Sequence, residues 1–373
     1  MIPFNKPVHL GTELTAMAEA ILKNGHVAGG GPFGKRCEEM LERMLGLRTL
    51  LVTSCTHALE MAALLLEIGP GDEFIVPSYT FVSTANAFVL RGARPVFADV
   101  DAQGNLDLAH VEKLLGPRTK AVVVVHYAGN SCDMEALLKL CGKVPVVEDA
   151  AQALAASFDG RPLGTFGVCS AFSFHETKNI GCGEGGALTL GDANLVDRAE
   201  YMRDKGTNRR KFQHGLVDKY TWVDVGSSYV LSDLNAAYLS TQLEELSRIQ
   251  ARRRQIYSAY EEALTEPVER VGGYVIKGSP RNTGNQHLFA MVFRSPEHRT
   301  GFIAHMRKHD IIAPFHYVAL HQSPMGQRFH DGSRLPGSER LTGCLVRLPL
   351  FFNMTDAELS TVIGRAQEFL RAL

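Results

Sequence analysis

The stretch "TLLVTSCTHALEMAALLLEIGPGDEFIVPSYTFVSTANAFVLRGARPVFADV" at residues 49–100 predicts the fold class, because two kinds of hydrophobic pattern alternate along it. Three short apolar runs, at residues 49–55, 73–79 and 93–100, are typical of buried strands. The two segments between them carry apolar residues at helical spacing, and the first segment ends at a glycine. Strands that alternate with helices form a mainly parallel sheet with helices on both faces, so we predict an α/β fold.

The alternation continues beyond this stretch and then changes character. Helix, strand, helix and strand follow in turn as far as "VPVVED", which ends at residue 149. Residues 232–264 keep a helical period over the whole segment. Beyond them, two strand-like segments at residues 287–294 and 311–317 flank a helical one. The C-terminal part is therefore predicted to mix helices and strands.

Length and composition indicate an ordinary globular protein with two domains. Its 373 residues are 45% hydrophobic and 21% charged, with a mean hydropathy of −0.05, which is enough for an extensive core. We place a boundary inside the long helical segment. This gives a large domain at residues 1–245 and a smaller C-terminal α+β domain at residues 246–373.

Charge and cysteine content exclude several classes of protein. The net charge is −1, and short basic runs such as residues 209–211 form no continuous surface for nucleic acid or an anionic membrane. The seven cysteines are scattered without a C-x-x-C pair, which argues against a disulfide framework and favours a reducing compartment. The N-terminal sequence does not resemble a secretory signal, and no apolar run approaches membrane-spanning length. We therefore expect a cytoplasmic protein.

Small and hydroxylated residues follow the first predicted strand. Ser54, Cys55 and Thr56 lie where this strand passes into a helix, and helix N-termini bind phosphate through free backbone amides. Taken alone, these residues are also explained by a plain helix cap at Ser54 or Thr56. In open α/β sheets, however, chemistry collects where strands end and helices begin.

Two further stretches end predicted strands with ionisable side chains. "VPVVEDAAQ" is an apolar run closed by Glu148 and Asp149, which either cap the next element or serve a functional site. "FSFHETKNIGCGEGGALTL" at residues 172–190 places Ser173 and Lys178 between one strand and a glycine-rich turn before another. Lysines are common in solvated loops, so Lys178 is of interest only if distant residues supply partners for a reactive amine.

Together these residues supply what a pyridoxal phosphate site needs. Lys178 has the amine that forms an imine with the cofactor aldehyde. Asp149 supplies an anion that keeps the pyridine nitrogen protonated, which makes the ring an electron sink. Ser173, with Cys55 and Thr56, can donate hydrogen bonds to the phosphate. Each signal is weak alone, but the ordered set favours pyridoxal phosphate.

Longer motifs identify a resemblance to a known family. "GPGDEFIVPSYTFVSTANAF", "VVEDAAQ", "SFHETKN" followed by "GEGGAL", and "HY" with "LH" at residues 316–321 resemble the DegT family of sugar aminotransferases. The similarity runs from "MIPFNKPVHLG" at the N-terminus into the C-terminal part. The resemblance implies the aspartate aminotransferase fold, which is pyridoxal phosphate-dependent fold type I. It also implies a homodimer with shared active sites that aminates a nucleotide-linked keto-sugar, with L-glutamate as donor.

The resemblance assigns roles to individual residues. It implies that Lys178 binds the cofactor covalently, Asp149 pairs with the pyridine nitrogen and Gln152 lies beside the ring hydroxyl. It places Phe81 over the ring, although an aromatic residue there is also explained as part of the core. The phosphate contacts fall on Cys55, Thr56 and Ser173. The substrate contacts fall on Phe4, Tyr317 and His321, although Tyr317 and His321 are also explained as turn and core residues of the small domain.

One segment departs from the family pattern. Where many members carry a "GYNYRM"-like sequence whose asparagine reaches the phosphate in the neighbouring subunit, this chain has "GSSYVLSD", with Ser228 at that position. A serine hydroxyl still donates one hydrogen bond, with less reach. The basic segment "DKGTNRRKFQHG" at residues 204–215 either binds the nucleotide or is a solvated loop.

Other patterns have simpler explanations. "GCGEGG" at residues 181–186 precedes a strand instead of joining a strand to a helix, so its glycines indicate tight turns and not a dinucleotide loop. His305 and His309 share a helix face, but no glutamate accompanies them in an H-E-x-x-H pattern, so we predict no metal site. Dehydratases of the same fold carry histidine where this chain has Lys178, which disfavours that activity. A non-catalytic regulatory protein that binds pyridoxal phosphate, and an aminotransferase for a 3-amino or gluco-configured product, stay open as alternatives.

Overall fold

The computed structural model describes residues 1–213 and 215–373, with the backbone alone at Gln213. Helices and strands are numbered separately in chain order. The helices are α1 (Glu13–Leu22), α2 (Pro32–Leu45), α3 (Cys55–Leu65), α4 (Val82–Val89), α5 (Leu108–Leu114), α6 (Met134–Cys141), α7 (Val196–Arg203), α8 (Arg209–Gln213), α9 (Asp233–Glu244), α10 (Leu246–Arg270), α11 (Pro296–Lys308), α12 (Pro336–Cys344) and α13 (Asp356–Arg371). The strands are β1 (Arg48–Val52), β2 (Glu73–Pro77), β3 (Arg94–Ala98), β4 (Thr119–Val125), β5 (Val146–Asp149), β6 (Ser157–Phe158), β7 (Arg161–Pro162), β8 (Cys169–Ser173), β9 (Gly186–Leu190), β10 (Tyr274–Val275), β11 (Asn282–Thr283), β12 (Phe289–Val292) and β13 (Leu345–Leu348).

Seven strands form the central sheet, in the order β1-β9-β8-β5-β4-β2-β3. From β8 to β3, every neighbouring pair is parallel. β9 is antiparallel to both of its neighbours, β1 and β8. The prediction of a mainly parallel sheet is confirmed. Because parallel strands share a direction, the carboxyl ends of β4, β5 and β8 meet at one edge, where open α/β sheets bind ligands.

Helices cover both faces of this sheet because its strands are apolar on both sides. In β4, Val122 and Val124 pack into one core with side chains of α1, α2 and α9. Val123, which points the other way, packs into a second core with side chains of α3 and α4. Burying each valine stabilises the fold by roughly 1.5–3 kcal/mol relative to leaving it exposed. The short apolar runs of the sequence are therefore strands buried on two faces.

The C-terminal part differs from the prediction in two places. The single long helix predicted over residues 232–264 is two helices, α9 and α10, which meet at Glu245. The strand predicted at residues 311–317 does not form, and only the first residue of this described segment makes a bridge, to Ile2. Pro314 interrupts the segment and has no N–H to donate to a sheet. The third strand of the C-terminal sheet is instead β13.

The C-terminal sheet is antiparallel, in the order β10-β12-β13, and packs against α10, α11 and α13. The predicted domain boundary at residue 245 falls where α9 and α10 meet, and the division into two domains stays a prediction. β11 pairs with β6, which ties the C-terminal part to the loop region beyond β5. None of the helices in the described parts of the chain is both long enough and apolar enough to cross a membrane.

Candidate active site

A cavity of about 820 Å³ opens at the carboxyl ends of β5 and β8, next to the N-terminus of α3. Strand β13 and residues 314–317 line the cavity as well. The site residues predicted from the sequence that lie on its wall are Phe4, Cys55, Thr56, Phe81, Asp149, Gln152, Ser173, Lys178 and Tyr317. Folding therefore brings together residues from the N-terminus, the central sheet and the C-terminal part.

Lys178 lies in the turn that follows β8. Its backbone N–H donates to the His175 carbonyl at 2.9 Å. The next residue, Asn179, anchors the turn, because its side chain donates to the Asn285 carbonyl at 2.9 Å and lies 2.8 Å from Nδ1 of His287. These contacts fix the turn that carries Lys178 into the cavity.

The surroundings of Lys178 favour its neutral form. Burial lowers the pKa of the Lys178 ammonium, because the charged form loses its hydration. The negative charge of Asp149 and the Cys55 sulfur oppose this shift, whereas the positive charge of Arg347 adds to it. An unprotonated amine is the nucleophilic form of lysine. Lys178 is thus prepared to attack a carbonyl group.

Asp149 is the last residue of β5 and is buried. Thr84 of α4 donates its hydroxyl to one carboxylate oxygen at 2.7 Å, and the Ala151 N–H donates to the other at 3.1 Å. Glu148, the other acid at this strand end, points to the opposite side of the strand and pairs with His126 at 2.7 Å. The structure thereby separates one carboxylate that faces the cavity from one that is enclosed in the protein.

The N-terminus of α3 forms part of the cavity wall. The helix begins at Cys55 because the Ser54 hydroxyl accepts a hydrogen bond from the His57 N–H at 3.1 Å. The amides of Cys55 and Thr56 are in the first turn, where backbone N–H groups have no partner within the helix. Gly186 of β9 lies against this turn, and a β-carbon there would be 2.4 Å from the Cys55 nitrogen. Such free amides in a confined space suit a phosphate.

The remaining predicted residues complete the wall. The Gln152 side chain accepts from the Ala128 N–H at 2.7 Å and donates to the Tyr317 hydroxyl at 3.0 Å, so its orientation is fixed. Phe81 is 54% exposed, and its ring centroid lies 6.2 Å from that of Tyr317. The alternative that Phe81 belongs to the core is therefore wrong. Ser173 lies at the end of β8, on the same wall.

Two predicted site residues do not line this cavity. Ser228 is exposed and lines a second cavity, of about 780 Å³, with Arg209 and Arg210. Its contact with a neighbouring subunit stays a prediction. His321 is buried, and its ring is held by the Ser78 hydroxyl at 2.6 Å. We therefore do not retain His321 as a substrate contact.

Sequence reasoning missed several residues of the cavity region, and Arg347 and Thr84 are the two that bear on its chemistry. Arg347 of β13 lines the cavity, and its signal was a charged residue inside the apolar run "CLVRLPLF". Thr84 holds Asp149 in place, but a threonine within the first turn of a helix gives no such signal. The place of Arg347 on the cavity wall and the Thr84–Asp149 hydrogen bond both depend on elements that are far apart in the sequence. Local sequence patterns do not reveal such contacts.

His305 and His309 do lie together, and Glu368 of α13 joins them. The atoms of these three side chains that could bind a metal all lie within 4.8 Å of one another. A search for the H-E-x-x-H pattern does not find this group, because Glu368 comes from another helix. Arg365 donates to the Glu368 carboxylate at 2.7 Å, and its carbonyl lies 3.0 Å from the His305 ring nitrogen. The protein itself provides partners for this group, and the expectation of no metal stays a prediction.

The chain is similar to several known proteins along almost its whole length. Residues 9–367 match the DegT/DnrJ/EryC1/StrS aminotransferase family. The uncharacterised protein MJ1066 of Methanocaldococcus jannaschii is 30% identical over 352 residues, which make up 91% of this chain and 90% of that protein.

Solved structures share the fold. The aminotransferase TlmJ from Streptoalloteichus hindustanus has a TM-score of 0.91 at 34% identity, over 100% of this chain and 99% of that chain. The PLP-form of the putative sugar aminotransferase Spr1654 from Streptococcus pneumoniae has a TM-score of 0.91 at 24% identity, over 100% of this chain and 99% of that chain. The predicted fold and the predicted cofactor, pyridoxal phosphate, are confirmed. The chain belongs to the DegT/DnrJ/EryC1/StrS aminotransferase family, whose members depend on pyridoxal phosphate.

Proposed function

We propose that the protein transfers the amino group of L-glutamate to the ketone of a nucleotide-linked sugar in the cytoplasm. The observation that carries this proposal is that a half-buried Lys178 and a fixed Asp149 lie on the wall of one cavity. The proposed substrate is dTDP-4-dehydro-6-deoxy-D-glucose and the proposed product is dTDP-4-amino-4,6-dideoxy-D-galactose. This choice rests on the resemblance of the quoted motifs to those of dTDP-4-amino-4,6-dideoxygalactose transaminase.

The residues present fit pyridoxal phosphate, which when bound supplies an aldehyde that takes up the amino group and a ring that stores electrons. Lys178 would hold the cofactor covalently, since its amine is buried and its pKa is lowered. Asp149 would face the ring nitrogen, and the hydrogen bonds from Thr84 and Ala151 keep its carboxylate in place. The unprotonated Nζ of Lys178 can then take the proton from the substrate carbon and return it.

The remaining cofactor contacts follow from the wall of the cavity. The first-turn amides at Cys55 and Thr56, with the Ser173 hydroxyl, would hold the phosphate. Gln152 would contact the ring hydroxyl, and Phe81 supplies an aromatic ring on the same wall. Phe4 and Tyr317 are the substrate contacts that we retain.

We also propose a homodimer in which Ser228 of one subunit completes the cavity of the other. Ser228 lines the second cavity next to Arg209 and Arg210, which belong to the basic segment at residues 204–215. Of this segment, His214 lies outside the described residues. Arginines at such a subunit interface would bind the charged diphosphate of the nucleotide.

Exposed apolar side chains in the neighbouring segment support the dimer. Tyr220, Trp222 and Val225 are 52%, 77% and 50% exposed. Several large apolar side chains exposed within one short segment are typical of a surface that binds another protein. A second copy of this chain would cover them.

The test is a set of incubations of the holoenzyme with L-glutamate and a panel of nucleotide-linked keto-sugars. We expect 2-oxoglutarate and one amino-sugar to form together with the proposed substrate, and neither to form with Lys178→Ala protein. In the proton NMR spectrum of the purified product, a small H3–H4 coupling indicates an axial C4 amine and the galacto configuration. A large coupling indicates the gluco product, and an amine at C3 indicates a different keto-sugar. A protein that binds pyridoxal phosphate but aminates no sugar would support the regulatory alternative.

A further inference from the structure

Arg347 is a charged side chain on the cavity wall with unused hydrogen-bonding capacity. Its guanidinium lies over the Phe4 ring, 4.3 Å from the centroid. One terminal nitrogen donates to the Phe315 carbonyl at 3.0 Å, whereas the buried Nε has no hydrogen-bond partner. In the described parts of the chain, no carboxylate forms an ion pair with Arg347. Since a guanidinium carries five N–H donors, most of them remain available to a ligand.

The groups around Arg347 are polar but carry no opposing charge. The phenols of Tyr127, Tyr317 and Tyr79 lie near its guanidinium, and the His316 ring stacks on Tyr317 beside them. Burial lowers the pKa of Arg347, but an arginine stays protonated at neutral pH. A partly desolvated cation without a counter-charge is unfavourable. The surroundings of Arg347 therefore favour the binding of an anion.

Another arginine, which is buried, shows which hydrogen-bond partners an arginine with a structural role has. Arg253 of α10 is 3% exposed, and its guanidinium donates to the backbone carbonyls of Gln286, His287 and Leu350. The protein itself thus accepts the hydrogen bonds of Arg253. Arg347 has one such carbonyl and faces a cavity, so its remaining donors point to a ligand and not to the fold.

We propose that Arg347 binds a carboxylate group of the amino donor, and the same group of the oxo acid that the donor becomes. This inference rests on the proposed transamination, in which an amino acid and a sugar use one cavity in turn. A planar guanidinium matches a carboxylate through two parallel hydrogen bonds. Lys178 lines the same cavity, so a donor held at Arg347 by its carboxylate brings its amine to the reacting end. The phosphate has its own donors at the start of α3.

This assignment separates the two half-reactions. The donor carries carboxylates and depends on Arg347, whereas the sugar ring of the proposed acceptor carries none. The acceptor's diphosphate is the one other anionic group, and the proposal assigns it to arginines outside this cavity, at the Ser228 surface. Arg347 therefore selects a donor that carries a carboxylate and leaves recognition of the sugar to other residues.

The first experiment measures binding to the holoenzyme without turnover. Glutarate has the charges of the donor but no amine, and calorimetry gives its affinity. We expect Arg347→Met to weaken glutarate binding by about tenfold or more, and Arg347→Lys, which keeps the charge but loses the planar fork, to weaken it less. Arg340→Gln removes one charge from an exposed arginine outside the cavity and should leave the affinity unchanged. Unchanged glutarate binding in folded Arg347→Met protein overturns the proposal.

The second experiment compares single turnovers of the two half-reactions, followed by the visible absorption of the bound cofactor. With Arg347→Met, we expect the reaction with glutamate to slow by about 100-fold or more, mainly through a higher half-saturating concentration of glutamate, and the reaction with the keto-sugar to change less than about threefold. An equal loss in both half-reactions overturns the proposal. A loss of dTDP affinity that matches the loss of glutarate affinity also overturns the proposal, because the anion bound at Arg347 would then be the diphosphate.

Failure of the proposed function can be distinguished from failure of the Arg347 assignment. If no keto-sugar is accepted, the proposed function falls, while glutarate binding and the glutamate half-reaction still test Arg347. If Arg347→Met does not fold, Arg347→Lys takes its place, and unchanged glutarate affinity in that variant overturns the assignment.

Discussion

Lys178 shows how the position of a residue prepares it for chemistry. A lysine in water has a pKa of about 10.4 and is protonated at neutral pH. In the cavity, burial lowers the pKa of Lys178, and the charge of Asp149 limits the shift without abolishing it. The same lysine in a solvated loop, which the sequence alone allows, would keep its usual pKa, so less of it would be in the nucleophilic form.

Borohydride reduction of the holoenzyme should attach the pyridoxyl group to Lys178, because this lysine alone among the predicted site residues has an amine in the cavity. Peptide mass mapping identifies the modified residue. Lys178→Ala should abolish turnover and leave the circular dichroism spectrum unchanged, since a loop lysine adds little to stability. A label on any other lysine contradicts the assignment.

Without cofactor, Lys178→Met should be more stable than the wild-type protein at pH 7. The pKa of Lys178 is lower in the folded state than in the unfolded chain, so holding the protonated amine in the cavity costs stability below the folded pKa. Stability of the wild-type protein rises with pH between the folded pKa and the unfolded value, where the unfolded chain binds more protons. The advantage of Lys178→Met should shrink towards pH 10, where the unfolded chain also loses its proton. Thermal melts at the two pH values check this, and a lower melting temperature for Lys178→Met at pH 7 would refute it.

Helix α3 and strand β9 meet where the cofactor phosphate is proposed to bind. Two elements that are far apart in the chain meet here: the first turn of α3, which lines the cavity, and the glycine that starts β9 and lies against that turn. The absence of a side chain at Gly186 lets the strand approach the Cys55 amide. The sequence indicated both elements, but their approach depends on how the sheet is ordered.

Gly186→Ala should weaken binding of pyridoxal phosphate by about tenfold or more, because the added carbon would lie 2.4 Å from backbone atoms of Cys55 and Ser54 and must displace them. Titration of the cofactor-free protein, followed by visible absorption, measures the affinity. Gly364→Ala in α13 is the control, since a β-carbon there meets nothing within 4 Å. It should not change the affinity and should stabilise the helix by about 0.5–1 kcal/mol. Wild-type affinity in Gly186→Ala would argue against a phosphate at this turn.

Elements with a strong local pattern were predictable, and those set by distant packing were not. The strands and helices of residues 49–149 follow from apolar periodicity, and Asp149 and Lys178 follow from their places after strands. The break at Glu245 has no glycine or proline to mark it, and the segment at residues 311–317 is apolar enough for a strand. Arg347 was not predicted as a site residue because the rest of the cavity wall comes from parts of the chain that are distant in sequence.

As a single chain, the molecule leaves part of its proposed site on the outside. Phe81, on the cavity wall, is 54% exposed, and Trp222 is 77% exposed. Ser228, which the resemblance assigns to the phosphate, is not on the cavity of its own chain. A symmetric dimer in which each subunit covers these residues of the other accounts for all three observations.

Hybrid dimers test whether the sites are shared. Lys178→Ala removes the reactive amine from one chain, and Ser228→Trp blocks the surface that the proposal assigns to the partner's site. If the sites are shared, a hybrid of the two chains has one site with both defects and one site with neither. Random reassociation of equal amounts makes about half of the dimers hybrid, so the mixture should recover about a quarter of the wild-type activity. If each chain builds its site alone, every site in the hybrid carries one defect, and no activity returns. Tagged chains and sequential affinity purification show that hybrids have formed, so inactive hybrids would contradict the shared site.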